Sequence, residues 1–108
     1  MKNLDKINPI KRDELRAILS DPEVVKYFSS IRIFGSAVTD RCTEKSDIDF
    51  FVTLKPEYEN KKDSNASYIA LKLATVSDCD ILYAHEQREE TNPQLYRAMI
   101  NGVEVLGD

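Results

Sequence analysis

Five residues in this sequence have the types and spacing to do chemistry: Gly35, Ser36, Asp47, Asp49 and Asp80. Gly35-Ser36 ends the short apolar run Ile31-Arg32-Ile33-Phe34. A glycine there lets the backbone turn sharply and approach a ligand closely. The serine adds a hydroxyl and a backbone N–H, and a helical turn starting there would offer further N–H groups to a phosphate. Alone, a Gly-Ser pair reads as a plain turn.

Ser46-Asp47-Ile48-Asp49 opens the strongest apolar run of the chain. Side chains alternate faces along a strand, so Asp47 and Asp49 point one way and Ile48 the other. The strand rise sets their Cα atoms about 6.5 Å apart, and carboxylates about 5 Å apart repel by roughly 3 kcal/mol at an effective dielectric near 20. That cost is understandable where a cation is bound. Alone, Asp-x-Asp reads as a solvated strand end. A third carboxylate heads another apolar run, Ser77-Asp78-Cys79-Asp80-Ile81-Leu82-Tyr83. Asp78 and Asp80 share a strand face, so parity does not separate them; Asp80 is favoured because it lies against the apolar run, as Asp49 does. Three carboxylates on neighbouring strands form a hard oxygen site suited to Mg²⁺ or Mn²⁺, not zinc.

The elements that must position these groups can be read in outline. Asn8-Pro9 and Asp21-Pro22-Glu23 pair a capping side chain with proline at the first helical position. They predict a first helix with an apolar stripe of Ile10, Leu15, Ile18 and Leu19, and a short second helix through Val24, Val25 and Phe28. Strands are expected over residues 31–34, 48–54 and 79–83. Between them, residues 37–46 read as a loop or short helical turn and residues 55–64 as a polar loop. Ala66, Ile69, Ala70, Leu73 and Val76 fall at helical spacing and predict a helix capped by Ser64 or Asn65. Asn92-Pro93 starts a last helix carrying Leu95 and Met99, ended at Gly102, and Val103 to Leu106 is a candidate extra strand. Strands alternating with helices imply an α/β (α+β) domain, a single small mixed sheet flanked by helices.

Composition sets limits. The 108 residues suffice for one domain, 1–108, and 42% hydrophobic with 31% charged residues is an ordinary globular balance. The first residues lack an apolar run of signal-peptide type, and no stretch is long enough to cross a bilayer, so a cytoplasmic protein without membrane association is expected. Cys42 and Cys79 with the lone His85 allow no zinc spacing, and both cysteines are expected as reduced thiols, Cys79 buried at the start of its strand. His85 is expected in a loop or strand end. Tyr27, Tyr83 and Tyr96 are expected to pack with hydroxyls at the surface. A net charge of −4 argues against direct nucleic-acid binding, which needs a basic footprint.

Taken together, Ile33-Phe34-Gly35-Ser36, ten intervening residues, then Asp47-Ile48-Asp49 and Phe50-Phe51-Val52 resemble the signature of the DNA polymerase β-like nucleotidyltransferase superfamily. The spacing looks most like its minimal single-domain members, the nucleotidyltransferase partners of HEPN proteins in toxin–antitoxin pairs. Cys79-Asp80-Ile81-Leu82 is similar to the strand bearing the third carboxylate, and residues 92–106 to the final helix and strand. The resemblance covers about residues 31–106. It implies the polymerase β-like nucleotidyltransferase fold and transfer of AMP from ATP to a hydroxyl. Asp47, Asp49 and Asp80 would be both catalytic and metal-binding residues for two Mg²⁺ ions, and Gly35 and Ser36 would cradle the triphosphate. The partner implied is a HEPN-type toxin, silenced by modification of a tyrosine. Val38 and Asp40 stand where the family has a small residue and a glycine. The alternative is therefore a catalytically silent antitoxin that neutralises its partner by contact alone.

Overall fold

A computed structural model describes residues 1–107. The apolar run Ile48–Leu54 forms strand β2 at the centre of a four-stranded sheet, between β1 (Phe28–Phe34) and β3 (Cys79–Tyr83). The edge beyond β1 is β4 (Val103–Leu106), giving the order β3-β2-β1-β4. β1 is antiparallel to both β2 and β4, whereas β2 and β3 are parallel, so the sheet is mixed. The expected α+β architecture with a small mixed sheet is thus observed.

Period-2 burial gives the sheet two unlike faces. Ile31 and Ile33 of β1, Ile48, Phe50, Val52 and Leu54 of β2, and Ile81 and Tyr83 of β3 enter one core cluster. Helices α1 (Pro9–Leu19), α2 (Pro22–Val25) and α3 (Lys61–Ala74) supply Leu15, Ile18, Leu19, Val24 and Leu71 to the same cluster. The alternate residues Arg32, Asp49, Phe51, Asp80 and Leu82 stay partly or fully exposed on the other face. The last helix, α4 (Pro93–Ile100), buries Met99, and the Arg32 guanidinium donates to the carbonyl of Ile100 at its end. Among the described residues, no helix is long and apolar enough to cross a membrane.

Helix starts follow their caps. The Asn8 and Asp21 carboxamide and carboxylate accept from the N–H groups of Ile10 and Glu23 at 3.0 Å each, and Asn92 accepts from Leu95 at 3.1 Å. Four expectations shift. The second helix stops at Val25, and Phe28 instead opens β1, because pairing with Leu54 extends the strand three residues beyond the sequence pattern. α3 begins at Lys61, within the segment read as loop, and its cap is Asn60 rather than Ser64 or Asn65. Asn60 accepts from the Asp63 N–H at 2.9 Å while its amide donates to the Asp63 carboxylate at 2.7 Å, a reciprocal cap with aspartate at the third position.

The third shift concerns apolar faces. α3 turns Ser67 and Leu71 inward, so the stripe of Ile69, Leu73 and Val76 faces solvent. In α1 it is Lys11, not Ile10, that is buried: Lys11 is 2% exposed and Ile10 48%. The Lys11 ammonium donates to the Glu44 carbonyl and to Ser77 Oγ, both at 2.9 Å. One turn on, the Glu14 carboxylate accepts from the Ser77 N–H at 2.8 Å and from its hydroxyl at 2.6 Å. Both cysteines are free and buried, and His85 lies in the turn after β3, as expected. Tyr83 is only 5% exposed, and its hydroxyl meets Ser67 Oγ at 2.8 Å inside the protein, contrary to the expectation of a surface hydroxyl.

Candidate active site

The site forms where three strands share one end of the sheet. In register, Phe34 of β1 stands opposite Asp49 of β2, and Asp49 stands opposite Asp80 of β3. Register partners project from the same face, so Asp49 and Asp80 lie side by side on the face that the core leaves open. Asp47 immediately precedes β2 rather than belonging to it, and is exposed at the lip of the sheet. Asp78 lies one row further out and is exposed, while its carbonyl accepts from the Ile48 N–H at 2.9 Å and so helps to start the parallel pairing.

Gly35 directly follows Phe34 and has φ of 76°, a conformation that L side chains adopt at a cost. A Cβ built there would lie 2.2 Å from Asp49 Oδ2. Only a hydrogen fits between the turn and the carboxylate. The chain then winds through a 3₁₀ turn, Gly35–Val38, with Ser36 partly exposed and Ala37 fully buried. The Ser36 carbonyl accepts from both the N–H and the hydroxyl of Thr39 at 3.0 Å. Asn8 holds the turn from outside, its N–H donating to the Ala37 carbonyl and its amide to the Thr39 carbonyl, each at 2.8 Å.

Electrostatics mark Asp49 as the hub. Its carboxyl is pushed above the usual carboxylate range, first by burial, then by the neighbouring charges of Asp80 and Asp47. Asp80 and Asp47 thus both lie near enough to bear on the Asp49 carboxyl. Among the described residues, no three His, Cys, Asp or Glu side chains are drawn into a closed metal-ligating group. Like charges on an open face lower their energy by spreading apart.

Beside the turn is a cavity of about 440 Å³ between the Gly-Ser segment and the end of α4. Its walls include Phe34, Ser36, Val38, Arg41, Ala98 and Asn101. Arg41 also lines this cavity, while Asp40 is exposed and does not line it. The larger opening, about 560 Å³, lies by Phe28 and Lys55 at the opposite end of β1 and β2, remote from the carboxylates.

The five residues singled out in the sequence thus come together at one sheet end. The sequence reading did not anticipate the support behind them. Lys11 and Glu14 tie the segment before β2, through Glu44, to the segment before β3, through Ser77. A lysine between apolar positions of a helix gives no sign that it will be buried.

Comparison with known proteins bears on the same arrangement. The sequence matches the family model described as a nucleotidyltransferase domain over residues 12–105, which spans every strand carrying the site. A search of curated proteins gives no match. With the match running through nearly the whole fold, the chain belongs to the nucleotidyltransferase domain family, whose members transfer a nucleotidyl group from a nucleoside triphosphate.

Proposed function

We propose that this protein transfers AMP from ATP, with Mg²⁺, to a hydroxyl of a partner protein, and that it serves as the antitoxin of a HEPN-type toxin in the cytoplasm. The observation carrying the enzymatic part is the position of Asp49, in register with Asp80, two residues from Asp47 and closed over by a glycine that leaves room for no side chain. The donor set supports a hard cation. It offers carboxylate oxygens on adjacent strands, and burial with two like charges makes ionised Asp49 costly until a cation balances it. Asp47, Asp49 and Asp80 would hold two Mg²⁺ ions, which when bound offset the triphosphate charge and promote ionisation of the acceptor hydroxyl.

The chain's own groups do the positioning. Gly35 keeps the backbone close beside Asp49, so that a triphosphate held at the turn is also within reach of the carboxylates. Ser36 would offer its hydroxyl and N–H to the phosphate oxygens, and Arg41, which lines the adjoining cavity, is the first basic residue after that turn in sequence. Asp80, exposed at the sheet end, accepts the proton as the acceptor oxygen attacks the α-phosphorus and pyrophosphate departs. The antitoxin role rests on the resemblance to minimal nucleotidyltransferases; the buried free thiols of Cys42 and Cys79 agree with a reducing compartment.

Calorimetric titration with ATP, with and without Mg²⁺, tests the site. Magnesium-dependent binding that disappears in Asp47→Asn/Asp49→Asn is expected, followed by transfer of labelled AMP to the partner. One observation favours a second reading, a silent antitoxin that neutralises by contact: Val38 places a bulky side chain in the cavity wall where the family has a small residue. Full neutralisation of the partner by the double asparagine variant would select that reading.

A further inference from the structure

Behind the carboxylates lies a buried lysine. Lys11 is 2% exposed, and its ammonium donates at 2.9 Å to groups 33 and 66 residues away in sequence. An apolar side chain at this helix position would fill the core without the desolvation cost of an ammonium, and buried charges add little net stability. What directional bonds from a buried charge do supply is register. We infer that Lys11, Glu14 and Ser77 are positioning residues that fix Asp47 and Asp49 relative to Asp80, and thereby set the affinity of the site for magnesium and ATP. The affinity half of this inference rests on the function proposed above.

Each contact holds a segment that leads straight to a carboxylate. The Glu44 carbonyl belongs to a closed turn, in which the Thr43 N–H donates to Ser46 Oγ at 2.8 Å and the Thr43 carbonyl accepts from the Ser46 N–H at 3.0 Å. Asp47 follows that turn directly, so holding Glu44 holds the approach to Asp47. Ser77 is held at both its N–H and its hydroxyl. These donate to the Glu14 carboxylate at 2.8 and 2.6 Å, while the hydroxyl oxygen accepts from Lys11. Lys11 and Glu14 stand one turn apart on α1, so a single helix face grips both segments. The next residue, Asp78, accepts from the Ile48 N–H at 2.9 Å, the bond that starts the parallel pairing. Ile48 and Cys79 are register partners, and Asp49 and Asp80 form the following pair. β3 is an edge strand, held by β2 on one side only, so its start depends on this anchor. Two metal ions about 4 Å apart need their carboxylates closely placed. Loss of a group that orients metal ligands typically weakens metal binding by about 10–100-fold.

Ser77→Ala removes the hydroxyl, Lys11→Met removes the ammonium but keeps an unbranched apolar chain, and Ser77→Thr keeps the hydroxyl. In the metal-free chain, the Ile48 amide should exchange about tenfold faster in Ser77→Ala and Lys11→Met, measured against the amides at the middle of β2. In Ser77→Thr it should stay within about twofold of wild type. Calorimetric titration with MgATP at about 10 °C, with each variant folded by circular dichroism, should show binding about tenfold weaker for the first two and near wild type for Ser77→Thr. A network that only stabilises the fold would lower the thermal midpoint and leave the folded variants binding MgATP as wild type does. That result overturns the proposal, as does Ile48 protection that falls only in step with the rest of β2. If Lys11→Met does not fold, Ser77→Ala and Ser77→Thr decide. A wild-type chain that binds no MgATP refutes the nucleotide reading and the affinity half with it. Selective loss of Ile48 protection in Ser77→Ala would then still uphold the positioning of the strands, and its absence would overturn that too.

Discussion

Replacing Gly35 by alanine probes the closest contact in the site. The added methyl must accept a φ of 76° and would sit 2.2 Å from Asp49 Oδ2 and 3.2 Å from its Cγ. Left-handed backbone costs alanine about 1–2 kcal/mol. The methyl also forces the Asp49 carboxylate out of its rotamer by the better part of an ångström, for about 1 kcal/mol more. Lower entropy of the unfolded chain returns about 0.5 kcal/mol, leaving a net loss near 2 kcal/mol. An unfolding entropy of about 2.1 cal/mol/K per residue over 108 residues converts that to a midpoint about 9 °C lower. Thermal unfolding followed by circular dichroism with chelator present measures it. The same substitution in an Asp49→Ala background should retain only the backbone share, so the double-mutant cycle should show a coupling near 1 kcal/mol. Magnesium-dependent ATP affinity should fall at least tenfold. A midpoint within about 2 °C of wild type, or equal losses in both backgrounds, would refute the crowding argument.

Asp49→Asn should stabilise the metal-free protein at neutral pH. A carboxyl whose folded pKa is raised binds its proton more tightly in the native state, so stability falls as pH climbs from the unfolded to the folded pKa and stays reduced above. After discounting for the water-facing side, relief of the repulsion is worth about 1 kcal/mol, or about 4 °C by scanning calorimetry, and disappears below the unfolded pKa. Lys11→Ala should cost about 2–3 kcal/mol in urea unfolding, since the Glu44 carbonyl and Ser77 hydroxyl lose a buried charged donor. Burial pushes the Tyr83 hydroxyl up, so spectrophotometric titration should show one tyrosine ionising late and stability falling above about pH 10. Tyr83→Phe should remove that late step at a cost of about 1 kcal/mol.

How much could be read from the sequence differed by element. β2 and β3 were placed to the residue, because continuous apolar runs bounded by polar turns define buried central strands. The candidate site residues were legible through the combined motif and its family resemblance, since Gly-Ser and Asp-x-Asp each read alone as a turn and a strand end; the register sets Asp80 opposite Asp49 and Asp78 one row out. What failed was orientation. Ile69, Leu73 and Val76 have the spacing of a core stripe, yet Ser67 and Leu71 face inward, because Ser67 meets the Tyr83 hydroxyl and Leu71 fills the space beneath. Spacing reports that a helix has an apolar side and says nothing about what covers it. Phe28 likewise joined β1 through pairing with Leu54, a contact across 26 residues that no local pattern contains.

The bonds from α1 to Glu44 and Ser77 also have a dynamic consequence. Lys11 and Glu14 reach across 33 to 66 residues of sequence to hold the segments that lead into both carboxylate strands. Opening of the first helix would release both segments together, so the amides of α1 and the Ser77 N–H should share one opening free energy in native-state hydrogen exchange. A nascent chain would therefore carry all of its acidic residues up to Asp80 before they are set in place, since the Ser77 anchor and β3 arrive only after most of the chain has been made. The carboxylate-bearing end of the sheet and the first helix should thus open as one cooperative unit.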